Sequence, residues 1–257
     1  MKKGIFYLIL FAAILPGCKE DVPTLFAEPD GIYFSTPADS MTYTFAKYPN
    51  RLIDTLKIPV TVLGNASGTD RTISIEKLSG TDLNGIEGVH YKLLQPYTLP
   101  AGKVSTTLPV VIYRTGDMDS LSFNFKFQLK ANENFVSGIS AKTALKIKVG
   151  YLQKPPTWGD FTGQQWAGYS DNFGTWTKTK YKVILDALYD PVSDTTISEF
   201  PYTRFGPPVV YTQYLQLVKN YLRTRYPGNF SIPRGIGATL RDPDYRDSVI
   251  LVGKANY

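Results

Sequence analysis

Short runs of alternating apolar and polar residues constrain the fold of this chain more than any other feature of its sequence. The clearest run extends from Leu121 to Lys130, with five apolar side chains on one face and polar side chains on the other. This period of two is typical of a half-buried β-strand. Further strand candidates are residues 32–34, 56–62, 71–76, 108–112 and 145–149. Several short strands separated by turn residues predict a mainly β fold, and we assign an Ig-like β-sandwich to residues 30–150.

Pro59 lies inside one of these strand candidates. Proline has no amide hydrogen to donate to a neighbouring strand. We therefore expect Pro59 at a sheet edge or at a position that does not donate to the ladder.

The pattern changes after residue 150. Residues 151–156 are interpreted as a linker. Apolar residues then recur at helical spacing from Tyr181 to Leu188 and again from Tyr211 to Leu222, which predicts two helices. Pro227 and Gly228 end the second helix, and residues 249–252 are a candidate terminal strand. Residues 151–257 are thus predicted to form a smaller mixed α+β domain with two helices.

The first segment of the chain has the features of an export signal. Lys2 and Lys3 precede an apolar stretch, residues 5–15, which has the length of a signal-peptide hydrophobic region and is too short to span a bilayer. The only cysteine of the chain, Cys18, ends the sequence Leu-Pro-Gly-Cys, which resembles a bacterial lipobox. We predict a lipoprotein signal peptide at residues 1–17. An ordinary secretory signal with a chance cysteine is the alternative.

Acylation of Cys18 would leave a lipidated tether at residues 18–29 and a membrane attachment through amino-terminal acyl chains. It would also remove the thiol from catalysis, metal binding and disulfide formation. The sequence Lys19-Glu20-Asp21 resembles the export tag of surface lipoproteins in Bacteroidota. We therefore predict a lipid-anchored outer-membrane protein at the cell surface, with a periplasm-facing lipoprotein as the alternative.

Charge and titratable residues give few signs of chemistry. The formal net charge is +6, and loss of Lys2 and Lys3 with the signal lowers it by two. The basic residues are dispersed, so we expect no nucleic-acid partner. The only histidine, His90, is interpreted as a packed turn residue rather than a catalytic base or metal ligand. We expect no metal, no cofactor and no catalytic residues.

The cluster of Asp242, Asp244 and Asp247 allows two interpretations. It resembles a calcium loop but lacks the spacing and the glycine of an EF-hand. Arg241 and Arg246 can neutralise it locally. We favour structural salt bridges over a calcium site.

The strongest signal for binding is aromatic. All three tryptophans lie in one stretch, interleaved with polar residues. Aromatic faces beside amide and carboxylate groups are suited to a sugar or peptide ligand. The candidate ligand- or partner-binding residues are Trp158, Trp166, Tyr169 and Trp176. The interpretation that we favour for the same rings is the core of the small domain or an interface between domains. A weaker set surrounds residues 206–208 and consists of Tyr202, Phe205 and Tyr211.

Several short motifs occur in an order that resembles a family of Bacteroidota lipoproteins, domain of unknown function 4843. The motifs are residues 60–64, 70–75, 88–91, 99–103, 155–158 and 178–182. The amino-terminal part is also similar to Calx-beta and Ig-like sandwiches. The resemblance implies proximity to SusC/SusD-type outer-membrane importers, and it carries over no catalytic residues.

These observations favour a non-catalytic surface lipoprotein that assists a SusC/SusD-type importer in the capture of a glycan or peptide. A structural or adhesive module without a small ligand is one alternative. A β-sandwich glycoside hydrolase or lyase is another, and it requires two convergent carboxylates in a cleft.

The lipobox generates a first prediction. Cys18→Ala should release the protein from the membrane fraction without unfolding it, because the anchor is separate from the predicted fold. Fractionation, circular dichroism and mass spectrometry of the mature amino terminus check this. An unmodified thiol at Cys18 in the native protein would contradict it.

Overall fold

The computed structural model describes residues 29–159, 166–203 and 205–253. The predicted signal peptide, Cys18 and nearly all of the tether lie outside the described residues. Among the described helices, none has both the length and the apolar character needed to cross a bilayer.

Residues 31–150 form the predicted β-sandwich, with five strands in each sheet. The ten strands are β1 (Gly31–Phe34), β2 (Ser40–Thr44), β3 (Ile53–Leu63), β4 (Arg71–Leu78), β5 (Tyr91–Leu93), β6 (Tyr97–Leu99), β7 (Ser105–Tyr113), β8 (Phe123–Lys130), β9 (Val136–Ser137) and β10 (Ala144–Gly150).

The chain crosses between the two sheets after every strand. The odd-numbered strands form one sheet in the order β5-β7-β3-β1-β9, and the even-numbered strands form the other in the order β2-β10-β8-β4-β6. The pairs β1–β9 and β2–β10 are parallel and the remaining pairs are antiparallel. Every ladder therefore joins segments that are not consecutive strands.

Strand β8 shows how the alternation builds the core. Its inward side chains, from Phe123 to Leu129, are all buried, and Phe125 stacks on Tyr91 with ring centroids 4.5 Å apart. Burial of a large apolar side chain contributes roughly 1.5–3 kcal/mol. The strand begins at Phe123, later than predicted, and Leu121 remains 53% exposed.

Pro59 lies in the inner strand β3, not at a sheet edge. The ladder between β1 and β3 ends at the pair Phe34–Val60, and the Ser35 amide donates to the Pro59 carbonyl at 3.0 Å. The side of Pro59 that lacks an amide hydrogen therefore faces the point where β1 has already ended. Pro59 thus occupies a position that does not donate to the ladder, which is the second of the two positions expected for it.

The part of the chain after residue 150 is mixed, as predicted. Its helices are α1 (Ser170–Phe173), α2 (Lys178–Ala187) and α3 (Val209–Arg225), and its hairpins pair β11 (Tyr189–Asp190) with β12 (Thr195–Thr196) and β13 (Arg241–Asp242) with β14 (Ser248–Val249). The two predicted helices correspond to α2 and α3. The predicted terminal strand shortens to β14, because residues 250–252 make no ladder.

Residues 151–156 are not an open linker. Tyr151 and Leu152 are buried, and the guanidinium of Arg114 lies 4.5 Å from the centre of the Tyr151 ring. The side-chain nitrogen Nδ2 of Asn50 also donates to Tyr189 Oη and to Asp194 Oδ1, each at 2.9 Å. Buried apolar residues of the sandwich and of the carboxy-terminal part form one continuous cluster. The second part is therefore packed on the first.

The β13–β14 hairpin caps the amino terminus of α2. The N-cap residue Thr177 accepts from the Lys180 amide at 3.1 Å and donates its hydroxyl hydrogen to Asp242. Asp244 accepts from the Thr179 amide at 3.1 Å and from its hydroxyl at 2.7 Å. Carboxylates are favourable at a helix amino terminus because of the helix dipole. These contacts support the structural interpretation of the aspartate cluster over the calcium interpretation.

Lys180 is fully buried beside this cap. Its Nζ donates to the Phe173 carbonyl at 3.0 Å, and the neighbouring Asp242 is also fully buried. Burial lowers the pKa of Lys180 to about 8, and the charge of Asp242 opposes that shift. A buried lysine of this kind links stability to pH.

We expect the free energy of unfolding to rise with pH above about pH 8, towards the ordinary lysine pKa of 10.5. In that range the unfolded chain binds a proton that the folded chain has lost, and each pKa unit corresponds to roughly 1.4 kcal/mol. Ionisation of tyrosines in the unfolded state opposes the rise above about pH 10.

Urea unfolding between pH 8 and pH 10 checks this link. Lys180→Met should lose the rise, whereas Lys92→Met, at an exposed position of β5, should keep it. An equal slope in the parent protein and in Lys180→Met would show that Lys180 does not carry the effect.

Candidate functional site

Three of the four aromatic candidates lie in the core. Trp158, Trp166 and Tyr169 are 1%, 4% and 0% exposed. The Trp158 indole donates to the Gly174 carbonyl at 2.9 Å, and its ring lies about 6 Å from the ring of Phe173. Rings enclosed in this way present no free face to a ligand. The structure thus assigns Trp158, Trp166 and Tyr169 to the core, which is the other interpretation that the sequence allowed. These three rings are therefore not available to stack on a ligand.

The weaker aromatic set is also divided by burial. Tyr211 is buried, and Tyr202 stacks on Trp166 with ring centroids 5.7 Å apart. Phe205 alone of this set is well exposed, at 77%. The set does not form one surface.

Trp176 differs from the other candidates because it is only partly buried. Its ring packs at 6.3 Å from that of Tyr181, and its indole nitrogen has no hydrogen-bond partner among the described residues. Trp176 lines a cleft of about 330 Å³, which we call the Trp176 cleft. The other residues that line it are Asp119, Ser120, Thr177, Lys178 and Asp244.

The Trp176 cleft lies between the sandwich and the carboxy-terminal part. Asp119 and Ser120 come from the connection between β7 and β8, where a 3-10 turn, Gly116–Asp119, is anchored by fully buried Met118. On the opposite side, Trp176 and Lys178 flank the N-cap of α2. The cap also holds Asp244 in place, because the Asp244 carboxylate accepts hydrogen bonds from Thr179.

Polar groups of both sides meet across the cleft. Lys178 Nζ lies 3.3 Å from Ser120 Oγ and 3.8 Å from Asp244 Oδ1. Asp119 presents an exposed carboxylate beside them. The cleft thus combines an indole, two carboxylates, an ammonium and a hydroxyl. This set fits a ligand that has an apolar face and several hydroxyl groups.

Sequence reasoning identified Trp176 but missed Asp119, Ser120 and Lys178 as its neighbours. Asp119 and Lys178 are distant in the chain, and no periodic pattern links them. Thr177, a preferred N-cap residue type shortly before the predicted helix, is a local signal that could have pointed to this region.

A second cleft, of about 480 Å³, lies where the outer face of β10 meets residues 153–157 and 198–201. Lys148, Lys154 and Glu199 line it together with Tyr181 and Phe200. Those two rings are buried in the aromatic core. This cleft therefore presents charged side chains, but the rings of Tyr181 and Phe200 give a ligand little exposed aromatic surface.

His90 is a packed turn residue. It is 3% exposed, its ring stacks on Phe123 at 3.6 Å, and Nδ1 accepts from the Ile86 amide at 3.0 Å. Nε2 faces Asp117 at 3.7 Å. Burial lowers the pKa of His90 despite the nearby carboxylate of Asp117. The neutral form of the imidazole is thus favoured, and the ring serves the packing and hydrogen bonding of the turn.

Solved structures show partial similarity to the chain. One is described as a candidate carbohydrate-binding protein from Bacteroides ovatus, with 13% identity and a TM-score of 0.34 over 47% of this chain and 36% of that one. Another is a protein of unknown function from Bacteroides ovatus, with 18% identity and a TM-score of 0.38 over 48% and 45%. A third is CBD12 from CALX1.2, with 14% identity and a TM-score of 0.34 over 47% and 45%. The chain covers less than half of the length of each.

A search among curated proteins gave no match. A family comparison, by contrast, matches residues 26–189 to Domain of unknown function (DUF4843). The matched region is more than half of the 257 residues and includes the whole sandwich, α1, α2 and most of the Trp176 cleft. The chain therefore belongs to the DUF4843 family.

Proposed function

We propose that the protein is a lipid-anchored, non-catalytic accessory subunit of a SusC/SusD-type uptake system at the outer membrane, and that it binds a glycan in the Trp176 cleft. The observation that carries the proposal is the cleft itself, in which one partly exposed indole is surrounded by charged and hydroxyl side chains. The lipobox at Cys18 supports the location, and the family resemblance supports the importer as partner.

The chemistry of the cleft favours a sugar. The carboxylates of Asp119 and Asp244 accept hydrogen bonds from hydroxyl groups, whereas Lys178 donates. The indole of Trp176 covers the apolar face of a ring. A volume of about 330 Å³ lies at the lower end of small-molecule sites, which matches one sugar unit of a longer chain. A peptide ligand is the competing occupant.

Glycan binding can be tested on the full mature chain carrying Cys18→Ala. Parent protein should bind at least one class of polysaccharide on a glycan array. Trp176→Ala should weaken that binding by about tenfold or more, because it removes the stacking surface. Asp119→Asn should weaken it by a smaller factor.

Phe205→Ala is the matched control, since it removes an exposed ring outside the cleft. Thermal unfolding of each variant separates lost binding from lost folding. Binding of peptides but not glycans, or equal binding by parent and Trp176→Ala, would refute the assignment. Glycan cleavage that disappears in Asp119→Asn would instead establish the hydrolase alternative.

The importer association has its own test. Tagged protein extracted from native outer membranes in mild detergent should carry a SusC/SusD-type pair, identified by mass spectrometry. A tagged, unrelated lipoprotein serves as the control. Failure to recover the pair under several extraction conditions would contradict the proposed partnership.

The burial of Trp158 and Trp166 favours a second candidate function, a structural or adhesive module. In that case the aromatic residues serve packing alone, and binding depends on protein surfaces. A protein that binds no glycan but cross-links to a neighbouring surface protein would fit this function.

A further inference from the structure

Residues 230–238 form a loop that holds two isoleucine side chains in solvent. We call it the isoleucine loop. Ile232 is 98% exposed and Ile236 is 62% exposed, although both are large apolar residues. Ile232 is more exposed than any other large apolar side chain in the described part of the chain. Single exposed apolar residues are ordinary, whereas exposed apolar residues grouped on one segment can mark a contact surface.

The exposure is not a consequence of a loose loop. Asn229, which is fully buried, donates to the Ile250 carbonyl at 2.8 Å and accepts from the Leu240 amide at 2.8 Å. The Gly228 amide donates to Ala238 O at 2.8 Å, and Ser231 Oγ accepts from the Ile236 amide at 3.1 Å. The base of the loop is thus tied by several hydrogen bonds.

Close packing at Gly228 fixes the loop further. A Cβ at this position would lie 2.5 Å from Thr239 Oγ1 and 2.7 Å from the Ile236 carbonyl. Only glycine fits such an approach without a shift of its neighbours. The fold therefore presents Ile232 and Ile236 in a preformed arrangement.

Three arginines accompany these apolar side chains. Arg234 lies between the isoleucines in the sequence and is exposed. The guanidinium of Arg223 lies 5.5 Å from the Phe230 ring, at the start of the loop. Arg241 lies against Gly235, where an added Cβ would be 3.3 Å from Nη2. Asp247, 3.7 Å from Arg241, balances this charge in part.

We propose that the isoleucine loop contacts the membrane, with Ile232 and Ile236 entering the headgroup region of an anionic bilayer. The three arginines bind the lipid phosphates around them. Apolar side chains beside cationic ones are the usual composition of surfaces that lie on membranes. The proposal rests on the proposed membrane location of the protein.

The length of the tether is consistent with this contact. Residues 19–30 separate Cys18 from β1. Even fully extended, they reach about 40 Å, which is comparable to the diameter of a body of this size. An acylated Cys18 would therefore hold the start of β1 within about 40 Å of the bilayer, and the isoleucine loop would select the face that touches it.

The test uses the full mature chain with Cys18→Ala, so that no acyl chain contributes to binding. Cosedimentation is measured with vesicles of phosphatidylcholine alone and with vesicles that contain about a third phosphatidylglycerol. We expect weak binding to the anionic vesicles at low salt, reduced further by salt because exposed charges are screened. Binding of this strength is compatible with release of Cys18→Ala from the membrane fraction at physiological salt. Ile232→Ser combined with Ile236→Ser should lower the partition coefficient by about tenfold or more.

Val192→Ser is the matched control, because Val192 is 94% exposed on a different turn and should not affect binding. Arg234→Gln should weaken binding and reduce its dependence on salt. Ile232→Trp gives a second measurement, since insertion shifts indole fluorescence to the blue. Absence of vesicle binding, or equal binding by the double serine variant, would overturn the proposal. Neither result would affect the tests of lipidation, importer association or glycan binding.

Discussion

The continuous apolar core shared by the sandwich and the carboxy-terminal part is the constraint on which the rest of the structure depends. Tyr151 and Leu152 are buried where a free linker was expected, so the two parts are packed together and not joined by a flexible linker. Surfaces at their junction are therefore preformed. The Trp176 cleft, whose walls come from both parts, owes its geometry to this packing.

Hydrogen bonds at the amino terminus of α2 are a second constraint, and they orient the residues where the two parts meet. The β13–β14 hairpin places Asp242 and Asp244 at the amino terminus of α2, where they bond to Thr177 and Thr179. The cap secures the start of the helix directly after Trp176 and places Lys178 opposite Ser120. Lys180 is buried beside this cap, where burial lowers its pKa to about 8, and we therefore expect stability to depend on pH.

Two surfaces then stand out for opposite reasons. The Trp176 cleft combines charged and hydroxyl groups around one ring, which suits a polar ligand. The isoleucine loop exposes apolar side chains among arginines, which suits a bilayer surface. Together the two proposals assign membrane contact to one region of the protein and ligand capture to another. Each assignment can fail without the other.

Much of the fold could be predicted from local patterns. Alternation predicted β3, β4, β7, β8 and β10 because each places one side chain in two against the core. Helical spacing predicted α2 and α3 for the corresponding reason. The short strands β2, β5, β6 and β9 were missed, since two to five residues carry too little pattern to distinguish a strand from a turn. The order of strands within each sheet was equally inaccessible.

The sequence by itself determined the strand and helix periods, the family and the predicted lipid attachment at Cys18, because each depends on residues that are close together in the chain. Only the tertiary structure decided which aromatic residues are buried. It placed Trp158, Trp166 and Tyr169 in the core and left Trp176 at a cleft. Composition around these rings is similar, and burial depends on contacts with residues distant in the sequence, such as Phe200 at Trp158 and Tyr211 at Trp166.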